Sequence, residues 1–217
     1  MNLDYSGIPV EDALKALGAE LRSRGAAARL IVVGGASLVL RGLTARLTGD
    51  VDVIAALSPD GDVLLYPHPL PPVVLDAARS VQRTLGLADP DWLNTTVATS
   101  WPQRWPGGLP PGLLDDVEWR TFGTLEVGLA GRASLIPLKV DAVVGRLNVV
   151  FGPDIATVLR VDLSPDAARK HLGDLVALAP TDEELDRAFG WVREQNVSAH
   201  LDVSLAAVLA AVRDARV

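Results

Sequence analysis

The chain has 217 residues, a net charge of −7 and a pI near 4.9, which argues against general electrostatic capture of nucleic acid but leaves room for a local basic patch. Its 49% hydrophobic content excludes a largely disordered chain, and its length allows one larger domain or two small ones. Cysteine is absent, which excludes disulfides, thiolate metal sites and cysteine nucleophiles.

The N-terminal residues lack the basic and apolar pattern of a signal peptide. No uncharged apolar run approaches the ~18 residues that a membrane-spanning helix needs. We therefore expect a cytoplasmic protein with no membrane partner.

The first half of the chain alternates helical and strand patterns. Leucines at helical spacing predict a helix over residues 9–24, and apolar runs predict strands over 29–33 and 50–56 with a short helix, 36–43, between them. The following patterns predict, in chain order, an edge strand around 63–66, a helix over 73–85, an ordered loop rich in Pro and Trp over 89–112, and strands over 117–122 and 124–129.

The second half is dominated by helical patterns. Helices are predicted over 134–148, from Ser164-Pro165 to before Pro180, from the capping box Thr181-Asp-Glu-Glu184 to about 196, and over 203–217, whereas 149–163 is ambiguous. We predict an α+β fold with a mixed β-sheet flanked by helices over residues 1–132, and a C-terminal helical part over 133–217 packed on that core.

Two aspartates alternate with valines in the second predicted strand. Side chains two apart on a strand share a face, so Asp50 and Asp52 would lie together while Val51 and Val53 enter the core. Adjacent carboxylates repel each other unless a cation lies between them. The pair therefore indicates a site for Mg²⁺ or Mn²⁺, which prefer oxygen ligands; the alternative is two solvated aspartates at a strand edge.

Several motifs resemble the nucleotidyltransferase superfamily, and more narrowly the bacterial nucleotidyltransferase-like proteins that include abortive-infection and toxin–antitoxin toxins. The resemblance spans roughly residues 10–200. It is carried by Gly34-Gly35-Ala36-Ser37, Arg46, Thr48, Asp50-Val51-Asp52, Asp91-Trp92-Leu93-Asn94, Leu138-Lys139, and Lys170-His171-Leu172-Gly173-Asp174-Leu175.

The resemblance implies a nucleotidyltransferase-like sheet and a bound nucleoside triphosphate with Mg²⁺ or Mn²⁺. Asp50 and Asp52 would hold the metal, and Gly34 and Gly35 would let the backbone approach the triphosphate. Ser37 would add a hydroxyl contact or bond the backbone within its own helix. Substrate binding is also implied for Arg46 and Thr48.

The predicted helix 134–148 contains a lysine among apolar residues. An unpaired ammonium is costly to bury, and a triphosphate is one suitable partner for Lys139. The alternative is a lysine whose stem packs while its head reaches water. Asp174, on the next helix, would contact Lys139, the base or metal-bound water as a catalytic residue, or form an ordinary salt bridge.

A third metal carboxylate is expected on a neighbouring strand. Glu126 has the parity to face away from the core, although a solvated strand residue fits equally well. Arg41, like Arg46, would bind phosphate or acceptor, or form a surface ion pair. The tryptophans are assigned to the core rather than to base stacking.

The paired carboxylates and the resemblance together imply a Mg²⁺-dependent nucleotidyltransferase that moves a nucleoside monophosphate from a nucleoside triphosphate to an acceptor hydroxyl. The resemblance implies a toxin-like role, with RNA such as tRNA, or a protein, as acceptor and a cognate antitoxin as partner. The alternatives are a catalytically silent binding module of the same fold and a small-molecule nucleotidyltransferase.

Overall fold

The computed structural model describes residues 7–45, 47–58, 63–101, 105–106, 108–154, 156–195 and 198–216. The described chain divides into two compact units, one formed by residues 1–101 and 116–131 and the other by residues 102–115 and 132–217. No helix in the described ranges is long and apolar enough to cross a membrane.

In its described residues, the first unit contains three α-helices and one six-stranded sheet. Its elements are α1 (Val10–Ser23), β1 (Ala28–Val33), α2 (Gly34–Leu40), β2 (Val51–Leu57), β3 (Leu64–Leu65), α3 (Pro72–Leu85), β4 (Leu93–Asn94), a 3₁₀ turn (Ala98–Ser100), β5 (Glu118–Phe122) and β6 (Leu125–Leu129).

The sheet is mixed, with strand order β3-β2-β1-β6-β5. β1 pairs antiparallel with β2 and parallel with β6, and β5 and β6 form an antiparallel hairpin. The two edges of β2 have different partners: β1 lies on one, and both β3 and β4 lie on the other. The predicted mixed α+β fold is confirmed.

One hydrophobic core holds the first unit together. Leucines of α1, valines of α3 and the inward residues of β1, β2 and β6 form it, and Leu14, Leu17, Leu30, Val53 and Val127 are fully or almost fully inaccessible. The half-exposed Asp52 lies between the buried Val51 and Val53. The alternation predicted for this strand is therefore present.

The second unit is mainly helical. It comprises α4 (Arg132–Val144), β7 (Asn148–Phe151), β8 (Val158–Asp162), α5 (Asp166–Ala177), α6 (Asp182–Gln195) and α7 (Leu201–Asp214). The predicted capping box opens α6, because the Thr181 N–H donates to Glu184 at 2.8 Å and the Glu184 N–H donates to Thr181 at 3.2 Å. The ambiguous stretch after α4 forms an antiparallel hairpin of β7 and β8.

The tryptophans are mostly in the core, as expected. Trp92, Trp105 and Trp191 are buried. Trp119 departs from that expectation because it lies on β5 with 41% of its surface exposed, where the Arg29 guanidinium stacks 5.1 Å from its ring centroid.

Candidate functional site

A left-handed glycine joins β1 to α2. Gly34 has φ +72°, a conformation that residues with a Cβ rarely adopt. A Cβ at this position would also overlap Oδ2 of Asp52. The turn therefore places the Gly34 main chain close to the Asp52 carboxylate, and a side chain at position 34 would both strain the turn and push that carboxylate aside.

The two predicted carboxylates lie at the start of β2. Asp52 is the register partner of Val33, the last residue of β1, which places it beside the glycine turn. Asp50 directly precedes β2 and is half-buried. The hydroxyl of the buried Thr48 lies 3.4 Å from both the carbonyl and the carboxylate Oδ1 of Asp50. Thr48 therefore positions Asp50.

The donor chemistry of Asp50 and Asp52, two carboxylates two residues apart, is of the kind that Mg²⁺ takes in proteins. Mg²⁺ in proteins is commonly held by one or two carboxylates, with waters and substrate phosphates completing its octahedron. Asp50 and Asp52 supply two carboxylates, and the tight approach of Gly34 leaves main chain beside Asp52. Within the described ranges there is no cluster of three or more Asp, Glu or His side chains able to hold a metal.

Glu126 is not brought together with these aspartates. In the parallel pairing of β1 with β6, Glu126 is the partner of Arg29, whereas Asp52 pairs with Val33 at the other end of β1. Four residues of strand separate the two positions, or about 13 Å. Glu126 instead accepts a hydrogen bond from Nε of Arg29 at 2.5 Å. Strand parity predicted its solvent-facing side but not its position along the sheet.

The other predicted substrate-binding residues of the first unit differ in accessibility. Gly35 is buried, and Ser37 is fully buried and donates to the carbonyl of Ala130 at 3.1 Å. The Arg41 guanidinium donates to the carbonyl of Asp116 at 2.7 Å and lies 3.3 Å from its carboxylate. Arg46 lies outside the described residues.

Lys139 and Asp174, in the second unit, form a buried ion pair. Lys139 Nζ, on α4, donates to Oδ2 of Asp174, on α5, at 2.6 Å, and the two side chains are only 5% and 1% exposed. The structure brings these two predicted residues together. The pairing compensates the burial of the ammonium, which is one of the alternatives considered for Asp174.

His171 belongs to the same charged cluster. Its pKa lies at about 3 instead of the ordinary 6.5, chiefly because of burial and also because the positive charges of Lys139, Arg146 and Lys170 outweigh the opposing charge of Asp174. Within the described part of the chain its buried Nδ1 has no hydrogen-bond partner. His171 is therefore neutral at physiological pH and lies beside an ion pair.

Asn94 was not assigned a role from the sequence, although it belongs to the motif Asp91-Trp92-Leu93-Asn94. It is the register partner of Asp52 across the parallel pairing of β2 with β4. A two-residue strand carries no periodicity, so its neighbour in the sheet could not be read from the pattern. The sequence Asn94-Thr95-Thr96 is typical of an Asx turn. The structure contains that turn, in which the Thr96 N–H donates to Oδ1 of Asn94 at 2.9 Å.

The first unit contains a region that matches a known family. Residues 12–79 match a family described as a nucleotidyltransferase of unknown function (DUF6036). The matched segment includes Gly34, Gly35, Asp50 and Asp52 and ends before Glu126 and Lys139. No curated protein and no solved structure matches the chain significantly. The glycine turn and the paired aspartates thus lie in a segment, residues 12–79, that is nucleotidyltransferase-like.

Proposed function

We propose that the chain is a Mg²⁺-dependent nucleotidyltransferase, which transfers a nucleoside monophosphate from a nucleoside triphosphate to an acceptor hydroxyl. The observation that carries the proposal is the close approach of the Gly34 turn to the carboxylate of Asp52. This approach supports a site in which the Gly34 main chain and the Asp52 carboxylate lie beside the same bound triphosphate, with Asp52 as a metal ligand.

The reaction exchanges one phosphorus–oxygen bond for another. The acceptor oxygen bonds to the α-phosphorus, the bond from that phosphorus to the oxygen bridging to the β-phosphate breaks, pyrophosphate leaves, and the hydroxyl proton passes to solvent. Asp50 and Asp52 would hold the cation, Thr48 positions Asp50, and the missing side chain at Gly34 leaves the main chain beside Asp52 open to the phosphates. When bound, Mg²⁺ neutralises the charge that develops on the attacking and leaving oxygens.

The resemblance implies that Lys139 binds the triphosphate and that Asp174 is catalytic. Their mutual ion pair also supports a purely structural role. Replacing both residues separates these roles.

Transfer of label from each α-³²P nucleoside triphosphate, with Mg²⁺ and total RNA, tests the function. We expect label in an acceptor with the wild-type chain and none with Asp50→Asn/Asp52→Asn, while circular dichroism and the melting temperature stay close to wild type. The matched control is Glu126→Gln, a carboxylate replaced in the same unit but away from Asp52, which should transfer normally.

The acceptor that carries the label separates the remaining alternatives. Label in RNA or protein supports the macromolecular transferase, and label in a small molecule favours a small-molecule nucleotidyltransferase. If the chain binds triphosphate in a Mg²⁺-dependent way but transfers nothing, the enzymatic activity is contradicted and the chain is a nucleotide-binding module. Unchanged binding by the double aspartate variant would contradict the site.

A toxin role with a cognate antitoxin is part of the same proposal, and it rests on the resemblance. We expect expression of the wild-type chain to arrest growth, expression of the double aspartate variant not to, and a gene encoded beside this one to relieve the arrest. Growth arrest by the wild-type chain and by the double aspartate variant alike would show that toxicity does not depend on nucleotidyl transfer.

A further inference from the structure

A pocket lies where β4 meets the segment that leads into α3. Its volume is about 340 Å³, within the size range of small-ligand sites. The wall that continues from β4 contains Asn94, Thr95, Thr96 and Thr99. The residues that complete the lining are His68, Pro69, Leu70, Leu75, Asp91 and Leu93.

The pocket walls are fixed by the core and by a direct bond between them. Trp92 is fully buried, its indole N–H donates to the carbonyl of Ala78 in α3 at 3.0 Å, and its own carbonyl accepts from the Val51 N–H at 2.6 Å. Across the pocket, Nδ1 of His68 lies 2.7 Å from the hydroxyl of Thr95. The concavity is therefore built into the fold.

The register of the sheet relates this pocket to the proposed metal site. Asp52 pairs with Val33 on one edge of β2, and Gly34 follows Val33. On the opposite edge Asp52 pairs with Asn94, which lines the pocket. In nucleotidyl transfer the attacking and leaving oxygens lie on opposite sides of the phosphorus. If pyrophosphate leaves on the glycine side, the acceptor would enter from the β4 side.

The lining is suited to a neutral sugar rather than to phosphate. Among the described residues that form it there is no Lys or Arg, and Asp91 would repel an anion. The hydroxyls of Thr95 and Thr99 bond His68 and the Thr96 carbonyl. The Thr96 hydroxyl, the Asn94 amide and the second His68 ring nitrogen offer polar contacts, while the leucines and the proline offer apolar surface. Such a surface complements vicinal hydroxyls on an apolar ring face.

We infer that the pocket beside β4 binds the acceptor through a ribose-type sugar, which presents its hydroxyl to the α-phosphorus. This inference rests on the proposed function and names its acceptor class. The sugar oxygen forms the new bond to phosphorus, the bond to pyrophosphate breaks, and the sugar hydroxyl proton is released to solvent. The sugar comes either from the 3′-terminal nucleoside of RNA or from a free nucleoside.

Filling the pocket from its exposed rim tests the inference. Thr99→Trp places a large ring at an exposed lining position, and Thr121→Trp, at an exposed position of β5, is the matched control. The probes are adenosine, an RNA hexanucleotide with a free 3′-hydroxyl and the same RNA with a 3′-phosphate. Saturation-transfer NMR measures probe contact, and equilibrium binding with Mg²⁺ measures affinity for each nucleoside triphosphate.

We expect wild type and Thr121→Trp to contact the ribose protons of adenosine or of the RNA with a free 3′-hydroxyl. Thr99→Trp should lose this contact and reduce transfer by roughly tenfold or more, while its triphosphate affinity stays within about twofold of wild type. RNA as the better acceptor, with the 3′-phosphate blocking transfer, identifies the RNA terminus as the source. Adenosine as the better acceptor identifies a free nucleoside.

Three outcomes would overturn the inference: no probe contacts the wild-type chain, Thr99→Trp transfers as well as wild type, or it loses triphosphate affinity together with transfer. The last result would assign the pocket to the nucleotide itself. Failure of the proposed function is seen separately, as wild-type chain that binds no triphosphate with Mg²⁺. The adenosine measurement still reports on the pocket in that case.

Discussion

At the scale of single residues, the Lys139–Asp174 pair links stability to the proposed function. Lys139→Ala leaves the buried Asp174 carboxylate without this ammonium, and we expect a loss of about 3–5 kcal/mol of unfolding free energy. Lys139→Met/Asp174→Leu, which removes both charges, should recover most of that loss. Urea denaturation measures both variants.

The same double variant separates a structural lysine from a triphosphate-binding one. If Lys139 contacts the triphosphate, the restored fold will bind Mg²⁺ and nucleotide at least about tenfold more weakly than wild type. Wild-type affinity in a stable double variant would contradict that contact.

The depressed pKa of His171 predicts a pH dependence of stability. In the unfolded chain His171 becomes protonated as the pH falls below its ordinary pKa of 6.5, whereas in the folded chain its side chain stays neutral down to about pH 3. The unfolded state therefore binds more protons in this window, and stability falls as the pH falls below 6.5. We expect His171→Gln to flatten the dependence of unfolding free energy on pH between 6.5 and 4.5. Parallel pH profiles for variant and wild type would contradict this prediction.

At the scale of secondary-structure elements, α1 packs on the β5–β6 hairpin through a glycine. A Cβ at Gly18 would overlap the carbonyl of Phe122, a main-chain atom that cannot move without shifting the hairpin. We expect Gly18→Ala to destabilise the first unit by about 1–3 kcal/mol despite its better helix propensity.

The control for this prediction is Gly190→Ala in α6, where nothing lies within 4 Å of the added Cβ. Because alanine favours a helix over glycine, that variant should gain up to about 1 kcal/mol. Thermal denaturation compares the two. Equal effects would show that helix propensity, and not contact with Phe122, decides the result.

Elements with a strong period were predictable from the sequence, and short or non-local ones were not. The predicted helix 73–85 is present as α3, and the predicted strands 117–122 and 124–129 form a hairpin that turns at Gly123, with φ +67°. β4 has two residues, too few for a pattern, so the pairing of Asn94 with Asp52 was invisible. β7 and β8 stayed ambiguous because exposed Val150, Phe151 and Leu159 break the alternation of a half-buried strand.

The candidate site shows the same division. Local spacing was enough to predict that Gly34 and Asp52 lie close together, because their approach depends on one strand pairing. The location of Glu126 depends on the register of β1 against β6, which sequence parity does not fix. The partner of Lys139 depends on how α4 packs against α5. The motifs around Lys139 and Asp174 were visible in the sequence, but the packing of the two helices was not.

At the scale of the whole molecule, the negative net charge of the chain limits the electrostatic contribution to RNA binding. With a net charge of −7 and a pocket lined by no described cation, few phosphates can be neutralised on binding. We expect RNA affinity to fall only weakly between 50 and 200 mM salt, with a log–log slope shallower than about −2. Filter binding across that range measures the slope, and a steep slope would indicate a basic RNA-binding surface instead.

The chain path also has a consequence for biosynthesis. The first unit is discontinuous, and β6, which pairs with residues 28–32 of β1, follows the segment 102–115 that belongs to the other unit. A nascent chain that ends at residue 101 thus presents β1 with one unpaired main-chain edge in the middle of its future sheet. Such an edge invites pairing with other chains, so the matched segment 12–79, expressed alone, should aggregate. The sheet closes only when residue 129 has left the ribosome.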